Sequence, residues 1–351
     1  MKILGVADSF VPEDMFERAL APLSGSASIR IIRLDEDEVF TPSTPSERRI
    51  HEYFGHPRQL VDALTDEDVL VVHGAPVTEA VLAASPHLRL VCCARGGAVN
   101  VDVDAATERG IPVIIAPGRN ADAVADLTLA FMIMLARGIP RAQRYVASTE
   151  TIGLSTFEGA QFFGHELGGH TLGLVGYGNV GSRVAARARA FGLSIQVHDP
   201  YVDAAAIAAD GVEARDLEDL VATSDYVSLH VRVTPETRGF FGQRLFGLMK
   251  PTAYFLNTAR ESLVDEMALY EALTSGRIAG AAVDFLKAPP TPTPTPLRLL
   301  DNIIVTPHIG GATFEAGYRG VAIVAQQIAR FIHGERPAHV LNPAVLAAER
   351  R

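Results

Sequence analysis

The sequence predicts an α/β protein with parallel sheets, and three observations support this fold class. Short apolar runs alternate with helical patterns along the whole chain, as parallel strands joined by crossover helices require. The chain has 351 residues, and at about 150 residues per domain this length allows roughly two domains. Hydrophobic residues make up 48% of the chain and tryptophan is absent, which fits buried parallel strands covered by Ala-rich helices.

The strands are predicted from apolar runs bounded by turn residues. In the first part of the chain these runs are Lys2 to Ala7, Ser28 to Ile32, Val69 to His73, Arg89 to Ala94 and Pro112 to Ile115. In the second part they are Thr171 to Val175, Ser194 to Asp199, Asp225 to His230, Ala253 to Thr258, Ala279 to Asp284 and Ile303 to Thr306. Two separate sheets fit this division, so we predict two doubly wound parallel-sheet domains.

Other segments indicate how the two sheets are joined and covered. Asn120 to Ala136 is predicted to form one long helix with almost no polar face, which favours burial between domains or subunits. Ser148 to Gly169 has mixed polarity with interspersed phenylalanines and is expected to pack on a partner subunit. Pro289 to Pro296 is proline-rich and predicts an extended loop. A last helix from Ala316 to His333, with apolar residues on one side, is expected to pack on the first domain.

Charge and cysteine content exclude several classes of protein. The 41 acidic and 31 basic residues give a net charge of -10, which argues against nucleic-acid and anionic-membrane partners because both need a basic surface. The amino terminus lacks the pattern of a signal peptide, and no apolar stretch is long enough to cross a bilayer. The adjacent Cys92 and Cys93 cannot form a disulfide framework or a metal knuckle and are expected in a buried strand. We expect a soluble, cytoplasmic protein without a metal site.

A glycine-rich turn between a strand and a helix predicts a dinucleotide site. The strand Thr171 to Val175 runs into the G-x-G-x-x-G pattern formed by Gly176, Gly178 and Gly181, and a helical pattern follows. Such glycines allow a tight turn, a close approach of the backbone to a pyrophosphate, and close packing of helix on strand. Asp199, at the end of the next strand, would accept the ribose hydroxyls and repel a 2'-phosphate. The pattern therefore predicts a Rossmann-like domain that binds NAD in preference to NADP.

Several motifs together resemble those of the D-isomer-specific 2-hydroxyacid dehydrogenase family, in its phosphoglycerate-dehydrogenase-like branch. They occur in the family's order and cover nearly the whole chain. The matching stretches are Arg95 to Asn100, Gly110 to Val113, Leu172 to Gly181, His198 to Pro200, Ser228 to His230, Thr234 to Thr237, Asn257 to Arg260, Gly280 to Asp284 and Thr306 to Thr313. The resemblance implies a discontinuous substrate domain, 1–118 with 316–351, around an NAD-binding domain at 119–315, and it implies a homodimer.

The resemblance also assigns roles to individual residues. Arg260 would bind the carboxylate and keto oxygen of a 2-oxoacid, a task for which a rigid guanidinium is better suited than lysine. His308 would be the acid/base for the carbonyl oxygen, since an imidazole titrates near the working pH. Asp284 would bond the nicotinamide carboxamide. The full set expected to contact the cofactor is Gly176, Gly178, Asn179, Val180, Gly181, Asp199, His230, Val231, Thr237, Thr258, Ala259, Arg260, Asp284, His308 and Gly310.

The sequence departs from the family where a carboxylate normally accompanies the catalytic histidine. The place of that glutamate is taken by Pro289, and the glycine after the catalytic arginine is Glu261. Loss of the carboxylate would lower the pKa of His308 and free its tautomer. Glu261, Glu315 or a carboxylate of the substrate could compensate. An alternative function is an NAD(H)-responsive binding or regulatory protein with weak or no dehydrogenase activity, although both Arg260 and His308 are retained.

Substrate specificity is expected to come from the first domain, because ligands of α/β proteins bind at the carboxyl ends of strands. The candidate substrate-binding residues there are Gly74, Arg95, Gly96 and Gly97, together with Arg260 of the NAD domain. Arg95 could hold a second anionic or hydroxyl group, or it could be an exposed loop arginine. The expected substrate is a small polar, sugar-acid-like or phosphorylated D-2-hydroxyacid, interconverted with its 2-oxoacid.

Overall fold

The computed structural model describes residues 1–148, 158–286 and 296–348. The chain divides into two compact units, one of Met1–Asn120 with Ala312–Arg351 and one of Ala121–Gly311. The proline-rich segment from Pro289, including the predicted replacement of the family glutamate, lies outside the described residues except at Pro296. Part of the segment predicted to pack on a partner subunit, residues 149–157, lies outside them as well.

Each predicted strand is present, and its ends differ from the prediction by no more than one residue. The strands are β1 Lys2–Ala7, β2 Ser28–Arg33, β3 Val69–Val72, β4 Leu90–Cys93, β5 Val113–Ile115, β6 Thr171–Val175, β7 Ser194–His198, β8 Glu213–Ala214, β9 Tyr226–Leu229, β10 Tyr254–Asn257, β11 Gly280–Val283 and β12 Ile303–Val305. β8 was not predicted because both of its residues are exposed and it carries no apolar run.

The helices cross between these strands. They are α1 Glu13–Leu20, α2 Pro45–Arg49, α3 Pro57–Ala63, α4 Glu79–Ala84, α5 Val103–Glu108, α6 Ala121–Ala136, α7 Ile139–Ser148, α8 Asn179–Ala190, α9 Ala204–Ala209, α10 Leu217–Thr223, α11 Gln243–Leu248, α12 Glu266–Thr274, α13 Phe314–Ile332 and α14 Val345–Ala348. Among the described residues no single helix is both long and apolar enough to cross a membrane; α6 and α7 reach that length only together, and the chain bends by 63° between them.

The sheet of the first unit has the strand order β2-β1-β3-β4-β5 and is parallel throughout. The two cysteines are buried in β4, as predicted from their apolar neighbours. On one face of this sheet α13 packs against α1, and Val321, Val324 and Ile328 enter a core that also contains Phe16. The amphipathic pattern of the last helix therefore predicted its packing correctly.

The sheet of the second unit has the order β12-β11-β10-β9-β6-β7-β8 and is also parallel. Counted from β6, the first strand of this unit, the order is that of a Rossmann fold with one further strand at an edge. α6 packs against α8 and the adjacent strands, burying Phe131 and Met132 in their core. The order of the strands reverses between β6 and β9, and this is where such a sheet binds its ligand.

Candidate active site

The predicted site residues of the second unit follow six strands of one parallel sheet. Because neighbouring strands of this sheet are parallel and hydrogen-bonded to each other, their carboxyl ends lie along one edge of the sheet. In strand order the residues are Asp199 after β7, Gly176 after β6, His230 after β9, Arg260 after β10, Asp284 after β11 and His308 after β12. The fold thus brings together residues that are up to 132 positions apart, from Gly176 to His308 (308 minus 176).

The glycine-rich turn has the geometry expected of a pyrophosphate site. Gly176 has φ of 101°, a conformation that side chains rarely adopt, and a Cβ there would lie 2.6 Å from the carbonyl oxygen of His230. A Cβ on Gly181 would collide with the carbonyl oxygen of Gly176. Gly178, in contrast, is exposed and has open space around its Cα. Two glycines are therefore required by packing, and the third leaves the start of α8 open to an anion.

Asp199 lies beside this turn with its carboxylate anchored to the backbone. One oxygen accepts a hydrogen bond from the amide of Tyr177 at 2.8 Å, and the other accepts one from the amide of Tyr201 at 2.9 Å. The side chain is half-buried. A carboxylate offers about four lone-pair positions, so two remain for ribose hydroxyls. The turn, the open helix start and the fixed acid fit a dinucleotide without a 2'-phosphate.

His230 contacts the glycine-rich turn and is kept neutral. Its carbonyl lies against Gly176, and the side chain of Val231 lies against the same glycine. Desolvation lowers the pKa of His230 to about 3, and its Nε2 lies 2.9 Å from the hydroxyl of Ser228. A histidine that stays neutral at physiological pH cannot serve as a proton donor, so His230 has a binding or packing role.

The loop that carries Arg260 is closed by the side chain of Asn257. The Asn257 amide nitrogen donates to the carbonyl oxygen of Arg260 at 2.7 Å, and its oxygen accepts from the amide of Ala259 at 3.0 Å. Asn257 is buried, and the neighbouring Thr258 hydroxyl lies 3.0 Å from that of Thr128 on α6. Sequence reasoning did not give Asn257 a role, although it begins the Asn-Thr-Ala-Arg motif. Its two hydrogen bonds fix the backbone from which the guanidinium extends.

Asp284 anchors the turn that carries His308. Its Oδ1 accepts hydrogen bonds from the hydroxyl of Thr306 at 2.6 Å and from the amide of Ile309 at 2.9 Å. Its Oδ2 accepts from the amide of Gly310 at 2.7 Å, and a Cβ on Gly310 would meet this oxygen at 2.7 Å. The resemblance implied a contact of Asp284 with the nicotinamide; three bonds leave one lone-pair position for it. The anchoring role and the contribution of Thr306 were not predicted.

His308 is held in an uncommon backbone conformation by this turn. Its φ is 59°, in the left-handed region that a non-glycine residue seldom adopts, and its amide donates to the carbonyl oxygen of Asp284 at 2.6 Å. The ring of Phe285 meets the imidazole edge to face, with 4.7 Å between ring centres. Strained backbone that is held by several bonds is frequent at functional sites. The compensation suggested for Glu261 stays a prediction.

The other predicted cofactor residues are distributed around this edge. Asn179 begins α8 and is exposed, whereas Val180 packs partly into the core. Thr237 closes its own loop: its hydroxyl donates to the carbonyl oxygen of Arg232 at 2.8 Å and accepts from the amide of Thr234 at 2.7 Å. The role of each toward a cofactor stays a prediction.

The predicted substrate residues of the first unit follow β3 and β4. The amide of Gly74 donates to Asp8 at 2.8 Å, and a Cβ on Gly74 would collide with the ring of Phe54. Gly97 has open space around it, and a Cβ on Gly96 would lie 4.0 Å from the carbonyl oxygen of Ala116. Arg95 is neither free nor a simple exposed loop residue, because its guanidinium donates to the carboxylate of Glu52 at 2.6 Å and to the carbonyl oxygen of Glu52 at 2.7 Å.

Comparison with known proteins indicates the family of this chain. Residues 129–310 match the model of the D-isomer specific 2-hydroxyacid dehydrogenase, NAD binding domain. The chain is 41% identical over 286 residues to a D-3-phosphoglycerate dehydrogenase of Methanocaldococcus jannaschii, covering 81% of this chain and 53% of that relative. The chain thus spans about half the length of such relatives. It is 35% identical to a glyoxylate reductase of Korarchaeum cryptofilum over 96% of both chains.

A solved structure shows the same two-unit fold. The TT0316 protein from Thermus thermophilus has a TM-score of 0.77 and 30% identity, covering 97% of this chain and 100% of that one. Fold and site together define an NAD-binding α/β protein. More narrowly, the chain belongs to the D-isomer specific 2-hydroxyacid dehydrogenase family, in its phosphoglycerate-dehydrogenase-like branch. NAD is its cofactor.

Proposed function

We propose that this protein is an NAD-dependent oxidoreductase that interconverts a small polar or phosphorylated D-2-hydroxyacid and its 2-oxoacid. The observation that carries the proposal is the position of Arg260 and His308, which follow strands β10 and β12 at the sheet edge that also holds the dinucleotide turn. One cation for the carboxylate and one acid/base for the carbonyl are what this chemistry requires.

The two residues divide the work on the substrate. The Arg260 guanidinium binds the carboxylate, because its planar fork matches two oxygens at once. The His308 imidazole gives a proton to the carbonyl oxygen during reduction and takes it back during oxidation. When bound, the cofactor supplies or accepts the hydride. Asp284 keeps the His308 turn in place through its three hydrogen bonds, and Asn257 does the same for the Arg260 loop.

The test is a panel of 2-oxoacids with NADH, measured by the loss of cofactor absorbance. Glyoxylate and 3-phosphohydroxypyruvate are included because the relatives are named for these activities. His308→Ala should lower kcat about 10²-fold or more with at least one substrate, and Arg260→Ala should mainly raise KM for the oxoacid. His333→Ala is the matched control, since His333 lies at the end of α13 and is exposed.

Two results would reject the proposal in different ways. Full activity of His308→Ala would show that another group is the acid/base, and Glu261 would be the next candidate. Binding of NADH without turnover of any member of the panel would favour the alternative, an NAD(H)-responsive binding or regulatory protein.

The replacement of the family glutamate by Pro289 is part of the proposal. A carboxylate beside His308 would stabilise the protonated form of the imidazole and so raise the pH optimum for reduction. The variant Pro289→Glu should shift the activity profile toward higher pH. An unchanged profile in this variant would show that position 289 does not place a carboxylate near the histidine.

We also propose that the protein acts as a homodimer in the cytoplasm. The predicted partner-facing segment leaves Phe163 90% exposed, and the adjacent α7 exposes Ile139 and Val146. An unpaired apolar surface of this kind commonly marks an interface. Light scattering at micromolar concentration should give about twice the monomer mass of 37.5 kDa. A monomeric mass would contradict the proposal.

A further inference from the structure

A tyrosine inside the dinucleotide turn is anchored by its side chain as well as by its backbone. Tyr177 lies between Gly176 and Gly178, where β6 passes into α8. Its ring is buried in a core of the second unit and is only 8% exposed. Its hydroxyl donates to the carboxylate of Asp210 at 2.8 Å. The pattern that predicts the turn specifies its glycines and gives Tyr177 no role.

The backbone of Tyr177 connects this anchor to Asp199. The Tyr177 amide donates to one carboxylate oxygen of Asp199 at 2.8 Å, and the Tyr201 amide donates to the other at 2.9 Å. Tyr201 is only two residues from Asp199, so its bond is local to that loop. Of these two bonds, the one from Tyr177 ties the Asp199 carboxylate to the turn at the start of α8.

The direction of the Tyr177 amide depends on the tyrosine side chain because a glycine lies on each side. Glycine adopts a wider range of backbone torsions than any other residue. Gly176 has φ of 101°, and Gly178 is extended with open space around its Cα. A peptide between two such residues is held best by contacts outside the backbone. The buried ring of Tyr177 and its bond to Asp210 are contacts of this kind.

The phenol of Tyr177 is the donor in its bond to Asp210. Burial and, after it, the bond to the Asp210 carboxylate raise the pKa of Tyr177 to about 12. The hydroxyl therefore keeps its proton at physiological pH and donates it to the charged acceptor. Hydrogen bonds to an ionised acceptor are stronger than those between neutral groups, so this bond is a firm anchor for the ring.

Tyr177 binds both ends of the segment that carries α9. Asp199 follows β7 at the start of this segment, and Asp210 ends α9 just before the edge strand β8. Ile207 is the one buried residue of α9. The segment thus has few apolar contacts of its own, and the two bonds of Tyr177 join it to the dinucleotide turn.

We propose that Tyr177 and Asp210 are positioning residues for Asp199, because their hydrogen bond fixes the peptide that holds the Asp199 carboxylate. Asp199 is the group predicted to accept the ribose hydroxyls of the cofactor and to repel a 2'-phosphate. Selection of NAD over NADP then depends on three residues and not on Asp199 alone. The inference concerns cofactor binding, so it can be tested whether or not an oxoacid is turned over.

The experiment measures the affinities of NADH and NADPH by fluorescence titration in matched variants. Tyr177→Phe removes the hydroxyl and keeps the ring. The control is Tyr270→Phe, at a partly buried tyrosine of α12 that packs in a different core of the same unit. Asp210→Ala removes the acceptor, whereas Asp210→Asn keeps an oxygen that can accept the bond. The melting temperature of each variant is measured alongside.

Loss of the bond should weaken the binding of NADH more than that of NADPH. We expect Tyr177→Phe and Asp210→Ala each to weaken NADH binding about fivefold and NADPH binding less than about twofold, so the ratio of NADPH to NADH affinity rises about threefold. Asp210→Asn should restore most of the NADH affinity, and Tyr270→Phe should match the wild type.

A role of Tyr177 in stability alone would give a different result. The melting temperature would then fall, while the two affinities would stay unchanged or would weaken equally, and either outcome would overturn the proposal. Should Tyr177→Phe not fold, Asp210→Ala decides the same question, since Asp210 is exposed and its removal leaves the buried ring in place.

A double variant shows whether the effect passes through Asp199. In Asp199→Ser no carboxylate is left to align, so adding Tyr177→Phe should not change the ratio of affinities further. A further rise of the same size as in the wild-type background would show that Tyr177 acts on the cofactor by another route, and would reject the positioning role. If Asp199→Ser itself leaves the ratio unchanged, the proposal also fails, whereas the oxidoreductase activity is decided separately by the oxoacid panel.

Discussion

The substitution Asp284→Asn tests how the His308 turn is held. The wild-type carboxylate accepts three hydrogen bonds, from the Thr306 hydroxyl and the amides of Ile309 and Gly310, at 2.6, 2.9 and 2.7 Å. An asparagine of the same shape presents one oxygen and one NH2 group. Every one of the three partners donates, so the NH2 group faces at least one donor whichever way the amide is turned.

The cost can be worked out from these bonds. The smallest loss occurs when the NH2 group takes the place of Oδ2 and faces Gly310. The single oxygen of the asparagine then still accepts from Thr306 and Ile309. Losing one bond to a charged acceptor costs about 1.5–3 kcal/mol, and each remaining bond becomes weaker by about 1 kcal/mol when its acceptor is neutral. Removal of a buried charge offsets part of this sum. We expect a net destabilisation of about 2–4 kcal/mol.

Urea unfolding followed by far-UV circular dichroism measures the stability, and single-substrate kinetics measures the position of His308. The control is Asp301→Asn, because the Asp301 carboxylate is 92% exposed and pairs only with Arg144 among the described residues. A displaced His308 should lower kcat of Asp284→Asn roughly 10- to 100-fold, whereas Asp301→Asn should match the wild type. A stable Asp284→Asn protein with normal kcat would show that the three bonds do not hold the turn.

Three further predictions concern the cofactor side of the second unit. Asp199→Ser removes the charge that would repel a 2'-phosphate, so the ratio of NADPH to NADH affinity should rise about tenfold in fluorescence titrations; an unchanged ratio would remove Asp199 from cofactor selection. The pKa of His230 is about 3 in the folded protein and is ordinarily 6.5. The stability that this residue contributes above pH 6.5 is therefore lost as the pH falls toward 3, and at pH 5 the loss in free energy of unfolding is about 2 kcal/mol. The variant His230→Asn should lose less stability on acidification than the wild type. The hydroxyl of Tyr177 donates to Asp210 at 2.8 Å, and Tyr177→Phe should lower the free energy of unfolding by about 1 kcal/mol in thermal unfolding. Unchanged stability of this variant would show that water replaces the bond at no cost.

The strand positions could be predicted from the sequence because the strands are buried on both faces of the sheets. Such strands are continuous apolar runs, as in Val69–Val72 and Leu90–Cys93, and these stand out from the helical patterns around them. The exposed two-residue strand Glu213–Ala214 has no such run and was missed. The requirement for glycine in the dinucleotide turn could also be predicted, because the close approach of Gly176 to His230 excludes any side chain.

Contacts made by single polar side chains were harder to predict. The role of Asn257 depends on two backbone groups within three residues of it, and that of Thr306 depends on a carboxylate 22 residues away. The position of Arg119 next to His73 depends on how β3, β4 and β5 are ordered. None of these contacts has a fixed spacing in the sequence, so they can be identified only in the folded structure.

The two segments of the first unit set an order for folding during synthesis. The core around β1 and α1 is completed by α13, and the edge strand β5 bonds with residues 339–342 near the end of the chain, including Asn342, which binds the amide of Val113 at 2.8 Å. The second unit, in contrast, is one continuous stretch. The whole second unit is therefore synthesised before α13 is available to complete the core of the first unit. Until then the amino-terminal strands have apolar surface exposed. Slowing translation beyond residue 311 should lengthen the interval in which this apolar surface is exposed.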